Sequence, residues 1–275
     1  MKFGKFIRSF VGQSLSWIYV GLVILPLVWV ILTAFRPTAD ILRDPIALPT
    51  SFELSNFDVA WNEEDLGRGF VMSLQATAVT MLLLLPMGCM TAYALTKYRF
   101  KGSQSLLGLF SMGLMFPNMV AAVPLFLLLS KAGWHDTLWG LVAAYVAYSL
   151  SFTIFVMSGF FAALPDELAE AATLDGCGHF KLFSKIMMPL ARPGLVVVAI
   201  FNALGLWNEY NLAKVVLFSD STISVRLADL ITGLNYKADF GAIYAGSVIV
   251  MMPVILIYWL LRERVQEAML AGAIK

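Results

Sequence analysis

The stretch FVMSLQATAVTMLLLLPMGCMTAYALT, residues 70–96, contains no charged side chain. About 20 apolar residues in a helix cross the hydrocarbon core of a bilayer, so this stretch is long enough to span one. Backbone polar groups must be paired within lipid, which favours helices. The sequence therefore predicts an all-α, polytopic membrane protein with six transmembrane helices, the other five being Ser14–Phe35, Gly102–Ser130, Thr137–Pro165, Ile186–Asn208 and Phe240–Leu261.

The composition of the 275-residue chain agrees with this class of protein. Hydrophobic residues make up 60% and charged residues 13%, and the mean hydropathy is +0.80. A soluble domain is about 45–50% apolar and about 25% charged, so an ordinary soluble enzyme is excluded. A net charge of +1 also argues against a nucleic-acid partner. The two cysteines, Cys89 and Cys177, do not suggest a disulfide framework.

Basic residues in the short loops predict the orientation of the spans. With a cytoplasmic N-terminus, the inner segments hold 12 of the 19 Lys and Arg residues and 6 of the 18 Asp and Glu residues. The outer segments then hold the remaining 7 basic and 12 acidic residues. We therefore expect both termini to be cytoplasmic, with a short basic turn at Lys97–Lys101 and a longer inner segment at Asp166–Lys185.

The inner segment between the fourth and fifth spans begins PDELAEAATLDG, residues 165–176. Pro165 suits the first turn of a helix, and Gly176 suits the left-handed position after its last turn. We expect a cytoplasmic helix of about ten residues, too polar to span the membrane and too short to be stable alone. Such a helix must dock on another surface. Phe180, Phe183 and Ile186 continue as a second amphipathic piece.

The spacing of this segment resembles the EAA signature of ABC importer permeases, the inner-membrane components of binding-protein-dependent transport. Glu170-Ala171-Ala172 is followed after three residues by Gly176, after nine more by Ile186 and after two more by Pro189. Further stretches are similar to the carbohydrate (maltose-type) branch, and specifically to its smaller, six-span subunit: Ala92–Leu95, Phe100–Gly102, Phe116–Pro117, Pro124–Phe126, Trp207–Tyr210 and Gly272–Lys275. Departures from the family pattern occur at Cys177, Met188, Ala268 and Leu270.

The resemblance implies an arrangement of the chain and a set of partners. Residues 1–69 would form the first span and an external loop, residues 70–262 the permease core with its EAA loop at 165–189, and residues 263–275 a cytoplasmic tail. The partners would be a second permease subunit, two ATP-binding subunits, an extracytoplasmic solute-binding protein, a sugar and membrane lipid, with no nucleic acid. The location would be the inner or plasma membrane of a bacterium or archaeon.

The resemblance also implies roles for residues of the EAA loop. ATP and magnesium would bind the partner ATPase, and this chain would carry no catalytic residue, cofactor or metal; it contains no G-x-x-x-x-G-K-[ST] phosphate loop. The short inner helix would insert into a groove of the ATPase. The residues expected to couple ATP hydrolysis to transport are Glu170, Ala171, Ala172, Asp175, Gly176, Phe180 and Phe183.

Polar residues within the spans are candidates for the solute pathway, because amides, hydroxyls and aromatic faces suit a neutral sugar. The candidates are Asn118, Tyr148, Asn202, Asn208 and Glu209. Each of them also fits a simpler role in hydrogen bonding between helices or in anchoring at the membrane surface. Charged residues are absent from deep positions in spans one to four and six, which argues against a proton relay.

Two other functions remain open from the sequence. An ion-coupled secondary transporter would act alone and is expected to show repeated halves and charges within the membrane. An ABC importer permease for a non-sugar solute would share the coupling segment. A short amphipathic helix in an inner loop is also found simply lying at the lipid surface.

Overall fold

The computed structural model describes the chain over residues 2–98, 100–233 and 239–273, with side chains over 13–98, 100–233 and 239–260. Within these ranges the fold is all-helical. The helices are α1 (Lys2–Thr33), α2 (Thr38–Arg43), α3 (Ser55–Asp58), α4 (Leu66–Lys97), α5 (Ser103–Gly113), α6 (Asn118–Ala132), α7 (Leu138–Ala162), α8 (Glu167–Leu174), α9 (His179–Leu182), α10 (Met188–Leu190), α11 (Arg192–Trp207), α12 (Asn211–Val216), α13 (Ile223–Thr232) and α14 (Phe240–Ala273), with π-helical turns at Val59–Glu63 and Phe183–Met187.

Among the described residues, four helical stretches are long and apolar enough to cross a membrane: Gln13–Thr33, Leu66–Lys97, Leu138–Ala162 and Phe240–Leu260. They correspond to the predicted first, second, fourth and sixth spans. The other two predicted spans are bent pairs of helices, Ser103–Gly113 with Asn118–Ala132 at 102° and His179–Leu190 with Arg192–Trp207 at 77°. The part of the chain that the structure describes therefore has four candidate spans, or up to six if each bent pair is one span.

The predicted span over Gly102–Ser130 is a bent pair of helices, and proline explains the break. Pro117 has an extended backbone with ψ 129°, and α6 begins immediately after it. The helical conformation is disfavoured for a residue before proline, so the sequence at Phe116-Pro117 favours an end of α5 here. In the other bent pair the break falls at Ala191, next to Arg192-Pro193, where the proline lacks the N–H that a continuous helix needs.

The chain divides into two compact units. Unit 1 comprises the described residues of 1–67 and 226–252, and unit 2 those of 68–225 and 253–275. In unit 1, the buried Arg36 guanidinium donates to the carbonyl oxygens of Asp40 and Asp44 at 3.0 and 2.7 Å. The buried Asn56 amide donates to the carbonyl oxygens of Ala34 and Arg36, both at 2.9 Å. These bonds shape the loop that follows α1.

Unit 2 contains two main apolar clusters along α7. One surrounds Met157 and Phe161 near the end of α7, and the other surrounds Leu141 and Tyr145 near its start. Tyr145 and Phe161 are 16 residues apart, about 24 Å along a helix. The two clusters therefore mark two separate ends of α7, and each end carries one of the candidate sites.

The predicted tail at 263–275 is a continuation of α14, whose backbone stays helical to Ala273. Ile274 and Lys275 of the tail motif lie outside the described residues, as do Arg99 and Lys237 of the charge distribution.

Candidate functional site

The coupling segment, defined as residues 166–183, contains α8 and α9. Helix α8 begins after Asp166 and has 8 residues, so it is shorter than predicted, and Pro165 lies before the helix rather than in its first turn. Gly176 adopts φ +76°, which confirms the predicted left-handed position. The N–H of Cys177 donates to the Ala172 carbonyl at 2.9 Å and the N–H of Gly176 to that of Thr173 at 3.0 Å. This pair of bonds is a Schellman motif, which ends the helix sharply.

The predicted coupling residues divide into an outward and an inward group. Ala172 is buried, together with Leu182, in the apolar cluster around Phe161. Phe183 packs there too, with its ring centroid 5.2 Å from that of Tyr93. The exposed residues are Glu170, Ala171, Asp175, Gly176 and Phe180. Phe180 is 76% exposed and Leu174 is 89% exposed, so the segment presents apolar side chains to its surroundings while being anchored from behind.

Two residues that the sequence analysis did not single out hold the coupling segment against the end of α4. The Lys97 ammonium donates to Asp166 Oδ1 and to the Leu164 carbonyl oxygen, both at 2.6 Å. The Tyr98 hydroxyl and His179 Nδ1 are 3.0 Å apart, within hydrogen-bond distance. In the sequence, Lys97 counted only as one of the basic residues that predict the orientation of the spans. The signal that could have indicated its partner is Asp166, the acidic residue just before α8.

The five predicted pathway residues come together around one cavity near the first half of α7. The cavity has a volume of about 550 Å³. Asn118, the first residue of α6, reaches it because the chain bends at Pro117. Its other walls are supplied by α7, by α11 and by the segment that follows α11, including Tyr148, Asn202, Asn208 and Glu209. Tyr145, Ser149, Phe152, Phe201, Tyr210 and Asn211 complete much of the lining.

The amide groups of this cavity differ in how they are used. Asn202 is buried, and its Nδ2 donates to Thr153 Oγ1 at 2.9 Å and to the Val198 carbonyl at 2.8 Å. One of its N–H donors therefore joins α11 to α7, and the other bonds to the preceding turn of α11 itself. Asn208 Nδ2 donates to the Leu204 carbonyl at 2.8 Å. Tyr148 is 48% exposed and offers a hydroxyl and an aromatic face at the cavity wall.

Glu209 carries the charged group of this lining. Its Oε1 accepts from the N–H of Leu212 at 2.8 Å, and its Oε2 accepts from the N–H of Ala213 at 3.0 Å. The Tyr145 hydroxyl also donates to Oε2, at 3.2 Å. The carboxylate thus satisfies amides in the first turn of α12, whose own backbone offers them no acceptor. The cavity consequently presents mainly amide, hydroxyl and aromatic groups.

Comparison with known proteins identifies the family of this chain. Residues 84–267 match the family described as "Binding-protein-dependent transport system inner membrane component". The chain belongs to this family. As a member, it is a transport component of the inner membrane with several membrane-embedded helices, and the family is one of permeases rather than catalytic subunits.

Several relatives align with this permease over almost its whole length. It is 34% identical to the diacetylchitobiose uptake system permease protein NgcG of Streptomyces coelicolor, over 96% of this chain and 88% of that protein. It is 31% identical to the arabinooligosaccharides transport system permease protein AraQ of Halalkalibacterium halodurans, over 92% and 91%. It is 28% identical to the trehalose transport system permease protein SugB of Mycobacterium tuberculosis, over 98% of each.

A solved structure shares the fold of this permease. A chain from the crystal structure of a bacterial ABC transporter involved in the import of the acidic polysaccharide alginate superposes with a TM-score of 0.81, at 22% identity, covering 94% of this chain and 96% of that one. The resemblance to ABC importer permeases is therefore confirmed by sequence and by fold. The relatives named above are permeases of carbohydrate transport systems, as the resemblance to that branch predicts.

Proposed function

We propose that this permease is a subunit of an ATP-driven, binding-protein-dependent importer of a neutral sugar, in which it forms half of the translocation pathway. The observation that carries the proposal is the cavity of about 550 Å³ around Asn118, Tyr148 and Asn202. Its volume lies in the range of small-molecule sites, about 300–1,000 Å³. The carbohydrate systems of the relatives support the class of solute.

The chemistry of the cavity favours an uncharged, hydroxyl-rich solute. Amide and hydroxyl groups can donate to and accept from sugar hydroxyls, and the rings of Tyr148, Phe201 and Tyr210 offer apolar faces. The Glu209 carboxylate already accepts three hydrogen bonds from the protein. A strongly anionic solute would therefore meet no compensating cation among the residues that line this cavity.

The proposed arrangement in the membrane treats each bent pair as one span. This gives six spans with both termini in the cytoplasm, as the distribution of basic residues favours. The coupling segment then lies in the cytoplasm between the fourth and fifth spans, and the α12 end of α7 lies towards the outside. We keep the division into residues 1–69, 70–262 and 263–275 as part of this proposal.

The coupling segment would dock on an ATP-binding partner. Phe180, Leu174 and Ala171 are exposed on it, whereas Ala172 and Phe183 attach it to the body of unit 2. A rigid attachment of this kind is what a lever needs, because force on α8 is passed to α4 and α7. In the assembly that we propose, two ATP-binding subunits carry ATP and magnesium, and a second permease subunit and a solute-binding protein complete the complex.

The test is to purify the permease with the products of its neighbouring genes and to reconstitute the complex in vesicles. We expect co-purification of an ATPase and a second permease, and ATP-dependent uptake of one sugar from a panel of neutral and acidic saccharides. An active chain that needs no ATPase and follows an ion gradient would instead support a secondary transporter. Uptake of a non-sugar solute alone would reject the proposed solute class.

A variant at Gly176 separates docking from folding. Gly176→Trp places a bulky ring on the exposed surface of the coupling segment and is expected to leave membrane insertion intact while uncoupling ATP hydrolysis from uptake. Gly176→Ala introduces the same backbone strain with little bulk and serves as the control. Uptake that is equal in the two variants would count against docking at this surface.

A further inference from the structure

Helix α12 forms part of the cavity wall and is itself well packed. Leu212, Ala213 and Val216 are buried in the apolar cluster around Leu141 and Tyr145. Tyr210, Asn211 and Leu212 also line the cavity. Only 6 residues long, α12 is far too short to hold its shape without such contacts. Its position depends on this packing and on the hydrogen bonds at its two ends.

Glu209 fixes the beginning of α12. Its two carboxylate oxygens accept from the N–H groups of Leu212 and Ala213 at 2.8 and 3.0 Å, and the second oxygen also accepts from Tyr145 at 3.2 Å. Tyr145 lies on α7 and is 1% exposed. One side chain thus joins the start of α12 to a buried residue of the neighbouring membrane helix.

Asp136 fixes the opposite end. Its N–H donates to the Val216 carbonyl at 2.9 Å, and its Oδ1 accepts from the N–H groups of Phe218 and Ser219 at 2.8 and 2.9 Å. Asp136 lies just before α7. Both ends of α12 are therefore connected to α7 or to the residues that lead into it, each through one carboxylate.

We propose that Glu209 is a positioning residue, which acts with Tyr145 to hold α12 at the cavity, rather than a group that binds the solute directly. The carboxylate is directed at two backbone amides and one buried hydroxyl, so its contacts are the ones that order Tyr210 and Asn211. This inference rests on the proposed function, because it assigns the cavity to the transported solute. Glu209 and Tyr145 then act as one hydrogen-bonded pair. Loss of either residue changes the affinity for the solute indirectly, because α12 shifts in the cavity wall.

The experiment compares Glu209→Gln, Tyr145→Phe and their double variant in the reconstituted complex. Each single variant is expected to raise the KM for uptake about tenfold, as for loss of one hydrogen bond to a charged acceptor, and the double variant is expected to add little. Tyr148→Phe is the matched control, because Tyr148 faces the cavity without joining Glu209. Its effect on KM is expected to multiply with that of Glu209→Gln.

Hydrogen exchange of the amides of Leu212 and Ala213 gives a readout that does not need transport. Exchange is expected to become about tenfold faster in Glu209→Gln and in Tyr145→Phe, and to stay unchanged in Tyr148→Phe. The inference is overturned if Tyr145→Phe leaves both exchange and KM unchanged, or if the single effects multiply in the double variant. Failure of the wild-type complex to take up any sugar would reject the proposed function, while the exchange rates would still decide the role of Glu209.

Discussion

The ammonium of Lys97 donates to Asp166 Oδ1 at 2.6 Å, which joins the last residue of α4 to the residue that precedes α8. The side chain of Lys97 is 8% exposed and that of Asp166 is 59% exposed. The same ammonium donates to the Leu164 carbonyl oxygen. Lys97 therefore connects a membrane helix to the coupling segment through one nearly buried charge.

Replacing Lys97 tests whether this connection transmits force. Lys97→Met keeps most of the length of the side chain and removes the charge, and we expect it to cost about 1–2 kcal/mol of unfolding free energy, because one partner is solvent-exposed. The amount of sugar transported per ATP hydrolysed should fall markedly even under conditions in which the variant remains folded. The measurements are thermal unfolding in detergent and the ratio of sugar transported to ATP hydrolysed. Lys101→Met, in the same basic turn, is the control and should preserve that ratio.

The turn after α8 predicts different effects for substitutions at its two glycines. Gly176 has φ +76° and Gly178 has φ −70°, and a Cβ on either would meet open space. Gly176→Ala should destabilise the protein by about 1 kcal/mol or more, because only the backbone conformation is strained. Gly178→Ala should change the unfolding free energy by less than about 0.5 kcal/mol, because the N-cap preference for glycine over alanine offsets the lower entropy of the unfolded chain. Equal unfolding temperatures for the two variants would contradict this account of the helix end.

The two phenylalanines of the coupling segment should behave differently. Phe183 lies partly buried against Tyr93 and Phe161, so Phe183→Ala should cost about 2 kcal/mol, less than a fully buried ring. Phe180 is 76% exposed, and Phe180→Ala should leave the unfolding free energy within about 0.5 kcal/mol. We expect Phe180→Ala to impair uptake in the assembled complex nonetheless. A stable Phe180→Ala variant with normal uptake would show that this side chain contacts no partner.

The attachment of the segment after α12 should depend on pH. Hydrogen bonds from the Ser219 hydroxyl and from the backbone N–H groups of Phe218 and Ser219 lower the pKa of Asp136 from 3.8 to about 2. Because the folded-state pKa is lowered, the stabilisation is present above about pH 4 and is lost as the pH falls towards 2. Unfolding measured between pH 5 and 2 should show this loss in the wild type.

Asp136→Asn is the matched variant for this pH dependence. Asparagine tolerates the positive φ of 58° at this position and keeps one carbonyl acceptor, but it has no carboxyl group to titrate. Its stability should therefore change less than that of the wild type over the same pH interval. An identical pH profile for the two proteins would assign the transition to another group.

The coupling segment was largely predictable from the sequence because its signals are local. Gly176 marks a left-handed position that few other residues adopt, and the structure places it there. Pro165 gave a helix start that was two residues too early, since α8 begins at Glu167 with Asp166 as its N-cap. The partners Lys97 and Tyr98 are far from the segment in sequence, and no local pattern predicts such a pairing.

The bends in two predicted spans were less predictable. Pro26, Pro86, Pro124 and Pro253 lie inside uninterrupted helices, whereas the chain breaks at Pro117. A proline removes one backbone bond in every case, and tertiary packing decides whether the helix continues. The gathering of Asn118 with Asn202 depends on that break, so their residue types were identifiable from the sequence and their shared cavity was not.

The most direct test of the central claim is photocross-linking from the coupling segment in the purified assembly. A benzophenone amino acid placed at Phe180 should form an adduct with an ATP-hydrolysing subunit, identified by mass spectrometry of the joined peptides. The same probe at the fully buried Phe161 should give no such adduct. Adducts from position 180 that contain only phospholipid, in a complex that still takes up sugar, would contradict the proposal that this segment couples ATP hydrolysis to transport.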